Sequence, residues 1–471
     1  MEYSLFNQRT AAINIGVKPF GEGVSQQGIQ TIHVNWKPPV DAKLSRRMHA
    51  LGDMPLHQKI EEANEEAIRR LNAAEGHWIG LEKAIKAIPG FKENLILHSG
   101  PPIAWKDMIN VQKRGIKYGA IHAGLAKTME EAEGMVLAGE IEIGSCNDRY
   151  AIGAATGIVT HNMVVNVVED VVHHNKAYCI PFEGRNGLGA WAMWNPEIER
   201  NLLEIEDYFA PAVDLALKKN GGINVRSILA KGMLMGDESH TRQAACGALL
   251  VSEIVPMLLS DDELDAATIK RVTEMFVGNE RWFHPLGMSC SLASMRAIKG
   301  LPYCTIVTSI AQNGIETGIK VADLGEQWFK TAAPRFVGSY FSTQWGPEDA
   351  VPYMGDSTAT ETYGMGAFSA AAAPTVLRLR GGGWREAKAQ SEELKSICAG
   401  TNNNFPIPLL DFAGPGMGID IRKVCQTGIT PICHGGIVNK TGGQIGAGAA
   451  RFGIEHYISA MHAFLDKYGV Q

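Results

Sequence analysis

No stretch of the 471-residue sequence is both long and apolar enough to span a bilayer; the most apolar runs, 367–377 and 163–168, are far too short. The start, Met1-Glu2-Tyr3-Ser4, lacks the positive flank and apolar core of a signal peptide, so a soluble cytoplasmic protein is expected. Strong charge of either sign is also missing. Net charge is -6, the pI is near 6.2, and no basic run is interleaved with aromatics. That excludes a nucleic-acid footprint. The eight cysteines are scattered without a CxxC pair, which argues for reduced thiols and against a disulfide framework or zinc site. No HxxxH accompanies the acidic clusters, and no metal or cofactor is expected from them. Neither GxGxxG nor GxxxxGK[ST] occurs, so no nucleotide loop is recognisable.

Glycine, by contrast, is plentiful at 52 residues, and much of it is clustered. Clustered glycine marks tight turns or close approach of backbone to a ligand. Length allows roughly three domains of ordinary size. The expected fold class is mixed α/β and α+β, in several parts. An extension at 1–45 reads strand, helix, strand. An α/β part follows at 46–195, a mainly helical part at 196–300, and a Gly-rich α+β part at 301–471. Within these, 94–98, 117–121, 141–143 and 163–168 read as strands, and Thr128 with Glu131 forms a capping box. Asn313-Gly314 between two β-type runs (303–308 and 315–321) is the strongest hairpin signal in the chain.

The most informative motif is doubled: Met235-Gly236-Asp237-Glu238 and Met354-Gly355-Asp356-Ser357. Each opens an acidic, hydroxyl-rich stretch ahead of a helix-compatible run. The Asp of each is expected to cap a helix, whose first N–H groups attract anions. A helix from Asp237 would also make Glu238 and Arg242 partners four residues apart. Further candidates are His98-Ser99-Gly100-Pro101-Pro102 at a strand end, and Gly144-Ser145-Cys146-Asn147-Asp148 with the glycines up to 157. Glu183 and Arg185 fall near Trp191 and Trp194. The densest stretch is the tail, from Thr427 through Cys433-His434-Gly435-Gly436 to Asn439-Lys440 and Gln444–Gly448. The glycine-bearing segments at 144–157 and 435–448 are expected to offer backbone N–H groups to an oxyanion. Cys433 beside His434 is not a nucleophile on adjacency alone.

Taken in order, several of these segments resemble one bacterial family: 98–102, 177–179 with Glu183-Gly184, 235–242, Asn313-Gly314, 324–329, 354–366, 428–431 and 443–448. They look like AllG (YlbE-like) proteins, and the likeness covers about residues 60–455. The resemblance implies a subunit of an oxamate carbamoyltransferase-type complex in allantoin or purine breakdown. Such a complex moves a carbamoyl group between oxalurate and phosphate, giving oxamate and carbamoyl phosphate. The implied partners are an FdrA-like subunit, similar to succinyl-CoA synthetase, and a third small subunit; a homo-oligomer is a further expectation. Residues 13–39 look like a segment also met in FdrA-like partners. The chain departs from the carbamoyltransferase branch after Glu183-Gly184 and at 433–436, where substrate would be read.

Carbamoyl transfer needs hydrogen-bond donors for a carbonyl oxygen that becomes tetrahedral, a phosphate pocket and a clamp for a carboxylate. The candidate catalytic residues are Asp237, Glu238, His240, Glu361 and His434. The carboxylates would hold the carbamoyl NH2 and the histidines would carry protons. Candidates for substrate and phosphate binding are His98, Asn147, Glu183, Arg185, Arg242, Asn313, Asp356, Ser357, Thr360, Asn439, Lys440 and Gln444. The Ser-Thr-Arg-Thr phosphate motif of aspartate and ornithine carbamoyltransferases is absent. The alternative is a non-catalytic scaffold or ligand-binding subunit of an FdrA-like complex.

Overall fold

The computed structural model describes residues 10–34, 36, 38–184, 186–279 and 281–471. Its architecture is mixed α/β and α+β, with six separate sheets among the described residues, distributed among many helices. The N-terminal unit is a parallel strand pair, Ala11–Ile15 and Gln30–Val34, joined by the helix Lys18–Ser25. Ile13, Phe20 and Ile32 lie on its surface, each more than half exposed.

Two helices follow. Ala42–Gly52, which the sequence reading did not anticipate, is capped by Asp41. Pro55–Ala73 buries Ile60, Ala63, Ala67 and Leu71 along one stripe, the 3.6-residue pattern of a core-facing helix. A four-stranded antiparallel sheet then forms around Gly76–Lys83 and Val164–Asp170, with Asn175–Cys179 and Ile223–Asn224 at its edges. The parallel pair Leu95–His98 and Glu142–Ser145 carries the helix Asn110–His122. The expected strand at 117–121 lies inside that helix. Gly115 and Gly119, four apart, give it a face without side chains, and that face is pressed onto Ile158. Tertiary packing overrides the local β-propensity there.

The middle of the chain is helical from Pro196 to Asn220 through one π-turn at Ile205–Phe209. Its central element is Phe283–Met295, every residue of which is buried. This helix packs against the strands Val164–Asp170 and Asn175–Cys179. Asn313-Gly314 does turn a hairpin, between Val307–Asn313 and Glu316–Val321. The Asn313 carboxamide holds the turn by accepting the N–H groups of Ile315 and Glu316. The C-terminal sheet orders Val337–Tyr340, Gln444–Arg451 and Ile432–Val438. Gly435, Gly436, Gly446 and Gly448 therefore lie in paired strands, not in an anion-binding loop as expected. Among the described residues no helix is long and apolar enough to cross a membrane.

Candidate functional site

The two Asp-bearing motifs meet. Neither Asp caps a helix at its own position. Gly236, with φ at +99°, and Ser239, with φ at +64°, turn residues 235–243 into a loop, and the helix begins only at Ala244. Asp237 reaches forward to accept the Cys246 N–H at 2.8 Å, satisfying one orphan donor of that helix from outside it. Asp356 accepts the N–H groups of Gly100 and Gly153 at 2.7 and 3.1 Å, tying three loops together. Both carboxyls are fully buried, and burial raises their pKa values, that of Asp356 to about 7. Each holds backbone in place.

Their neighbours form a compact buried cluster. His240 Nδ1 lies 2.9 Å from both oxygens of Glu361 and 3.0 Å from Thr360 Oγ1, which is itself 2.8 Å from the Glu361 carboxylate. Two backbone N–H groups, of Ala367 and His434, also point at Glu361 Oε1 from 3.2 Å. Burial alone would lower the His240 pKa, but the charge and hydrogen bond of Glu361 raise it overall. The second pair is His434 Nδ1 with Glu238 Oε2 at 3.3 Å. Burial pushes Glu238 up, and the bond and charge of His434 more than reverse that, leaving it lowered. Gln390 Nε2 lies 3.1 Å from His434 Nε2, on the side of the ring away from Glu238. The other Glu238 oxygen accepts the N–H groups of Thr241 and Arg242. The side chain of Arg242 turns instead to Gly236 O and Asp237, so the expected Glu238–Arg242 side-chain pair does not form.

Cys433, unassigned by the sequence reading, completes the group. Its Sγ lies 3.8 Å from His240 Nδ1 and 2.8 Å from Tyr353 Oη. Burial and then the Glu361 charge push its thiol well above the usual range. On the outer side of His240, the His284 ring stacks at a centroid distance of 5.5 Å. Burial holds His284 well below its ordinary pKa, with the charges of His240 and Arg281 adding to that.

A cavity of about 80 Å³ opens beside His240, with Trp191, Thr241, Gln243, Arg281, Ser357 and Gln444 in its wall. That is room for roughly six waters at about 10–15 Å³ each, well below the several hundred Å³ of a cofactor pocket. Three side-chain atoms of wall residues, Trp191 Nε1, Thr241 Oγ1 and Gln444 Oε1, are buried with no protein partner. A donor, a hydroxyl and an acceptor held dry and unpaired suit a small polar ligand.

Of the expected site residues, Glu238, His240, Thr360, Glu361 and His434 come together in the cluster, and Ser357 and Gln444 line the cavity. The three acidic catalytic candidates, Asp237, Glu238 and Glu361, do not line the cavity. The rest lie elsewhere. His98 is buried, pulled down to about 4 by burial, and bonded to Ser99 O. Asn147 lines a separate small cavity. Glu183 accepts the Gly189 N–H. Arg242 stands in an outer groove that shares Thr241, Gln243 and Arg281 with the cavity wall. Asn439 holds the turn at 439–441, and Lys440 pairs with Asp349 at the surface. Arg185 lies outside the described residues. The sequence reading left out Trp191, Gln243, Arg281, His284, Tyr353 and Cys433 as site residues. Only Trp191, beside a glycine-rich loop, gave a local signal; the others are placed by tertiary packing.

The sequence and the fold both have counterparts among known proteins. A family model described as oxamate carbamoyltransferase subunit AllG matches residues 141–357. The oxamate carbamoyltransferase subunit AllG of Escherichia coli (strain K12) is 34% identical over 416 residues, covering 87% of this chain and 99% of that protein. The uncharacterized protein YahG of the same organism is 32% identical over 474 residues, the whole of both chains. A crystal structure of a conserved protein of unknown function from Enterococcus faecalis V583 superposes with a TM-score of 0.84 at 33% identity, covering 87% of this chain and 99% of that one. The chain belongs to the AllG family.

Proposed function

We propose that this chain is the substrate-binding, catalytic subunit of a carbamoyltransferase complex that exchanges a carbamoyl group between a ureido acid of the oxalurate type and phosphate. The observation that carries this reading is the small cavity beside the buried His240–Glu361 pair, three of whose wall residues carry a buried polar atom without a protein partner. The Trp191 N–H and the Thr241 hydroxyl donate to ligand oxygens, and Gln444 Oε1 accepts from the carbamoyl NH2. Arg281, shared between the cavity and the outer groove, and Arg242 in that groove supply cationic forks for phosphate and carboxylate.

In the transfer, an oxygen of hydrogen phosphate attacks the carbamoyl carbon. The bond from that carbon to the ureido nitrogen breaks, and the nitrogen takes the proton that the phosphate carried. Oxalurate thereby yields oxamate and carbamoyl phosphate, with atoms and charge balanced. His240 is proposed to position the reacting groups from the cavity wall. Its Nδ1 is anchored by Glu361 and Thr360, and its ring forms part of the cavity wall.

The relative named as an oxamate carbamoyltransferase subunit supports assembly with other chains. The exposed Ile13, Phe20 and Ile32 of the N-terminal unit suit a subunit contact. The FdrA-like protein and a small third subunit are the proposed partners, in the cytoplasm. The test is calorimetric titration of the chain with oxamate, oxalurate and other ureido acids, followed by a carbamoyl phosphate assay with the chain alone and with both partners. Binding of one ureido acid and turnover in the mixture support the reading. A stable complex that binds none of them would leave the non-catalytic, scaffold role.

A further inference from the structure

We infer that His240, Glu361 and Cys433 form a binding site for one divalent transition metal, zinc by the softness of the donor set, directly behind the cavity wall that His240 forms. This inference rests on the carbamoyltransferase reading for its role, but its geometry stands alone. The three donor atoms lie within 4.8 Å of one another, and all three residues are buried. In a tetrahedral zinc site with bonds of about 2.0 Å to nitrogen and oxygen and 2.3 Å to sulfur, neighbouring donors stand roughly 3.3–3.5 Å apart. The 2.9 Å from His240 Nδ1 to the Glu361 oxygens and the 3.8 Å from Nδ1 to Cys433 Sγ straddle that spacing.

The same geometry argues against a Cys–His–Glu nucleophilic triad. In a triad the nucleophile and the orienting carboxylate use opposite nitrogens of the imidazole. Here Glu361, Thr360 and Cys433 all crowd Nδ1.

Charge and surroundings agree. Glu238 and Glu361 are both wholly buried within one cluster, an arrangement that is costly unless cations accompany it. A dication bound by a neutral imidazole, one carboxylate and one thiolate is locally neutral, and the second carboxylate keeps His434 as its partner. The outer groups suit the ligands. Backbone N–H groups of Ala367 and His434 orient the Glu361 carboxylate, and Tyr353 Oη is in position to donate to a Cys433 thiolate.

The test is metal analysis of the full-length chain, purified with zinc supplied and then dialysed against metal-free buffer. Retention of roughly one zinc per chain, lost in Cys433→Ser and Glu361→Gln variants that keep the wild-type circular dichroism spectrum, is the expected result. Should those variants fail to fold, cobalt loading of the wild type decides: a thiolate-to-cobalt charge-transfer band supports the site. No retained zinc and no such band overturns it. Metal held without carbamoyl transfer would leave this inference standing and remove the reading it rests on. Transfer by a chain that holds no metal would do the opposite.

Discussion

Gly436 forms part of the cavity wall, and a single methyl placed there tests whether the cavity is the substrate site. Its backbone is in the strand Ile432–Val438, away from the left-handed region, so alanine fits the chain conformation. A Cβ at this position would stand 2.6 Å from Gln444 Nε2 and 2.9 Å from Trp191 Cη2. Both distances are closer than real contacts allow, so the amide and the indole must shift within a space of about 80 Å³. Overpacking of this kind costs about 1–3 kcal/mol. The flexible Gln444 end can yield into the cavity, so the cost falls mainly on the ligand that needs the same room. The expected outcome for Gly436→Ala is a ureido-acid KM raised about 10- to 100-fold, with the melting temperature moved by less than about 3 °C. Steady-state kinetics of the assembled complex, paired with calorimetric binding to the isolated chain, reads both quantities. An unchanged KM in a folded variant would refute the placement of substrate in this cavity.

Three further outcomes follow from the same structure. Asp356, raised from 3.8 to about 7, binds a proton in the fold between about pH 4 and 7 that the unfolded chain does not. Its stabilisation is therefore complete below about pH 4 and is lost as pH rises through 7, a difference of up to about 4 kcal/mol. Urea midpoints measured from pH 5 to 8 should fall with that slope, and Asp356→Asn should flatten it. Glu238→Gln sets an amide NH2 against the His434 N–H or against the loop N–H groups. It should lower kcat/KM by about a hundredfold and stability by about 1–3 kcal/mol, read by kinetics and urea unfolding. Gly134→Ala, in the helix Met129–Ala138 with open space around it, should stabilise by about 0.5–1 kcal/mol without touching activity.

Features set by neighbouring residues were legible in the sequence. Asn313-Gly314 turns its hairpin because its carboxamide satisfies the turn N–H groups locally. Thr128 caps its helix for the same local reason, but Glu131 reaches back to the Lys127 N–H, so the capping box is not closed. The alternation of strands and helices identified the fold class. Contacts between distant segments were legible only where a motif repeated: the likeness of 235–238 to 354–357 pointed to a shared site, and His240 does meet Glu361. The role of the Asp in each copy was not legible. Asp237 and Asp356 find their N–H partners in Cys246, Gly100 and Gly153, which no local rule selects. Cys433 could not be paired with Glu361 or Tyr353 from adjacency, because strand register and helix packing bring them together. Lys440 and Asn439 were misled candidates: a glycine-rich turn with a cation suggests anion binding, but here the turn closes a hairpin at the surface.

The central claim is that carbamoyl transfer occurs beside His240, and it is tested most directly by following a label. Carbamoyl phosphate enriched with ¹³C, mixed with oxamate and the assembled complex, should pass its label into oxalurate, seen by NMR. The same complex built with His240→Asn should assemble but leave the label in carbamoyl phosphate and its breakdown products. Equal transfer by the wild type and the variant would contradict the account.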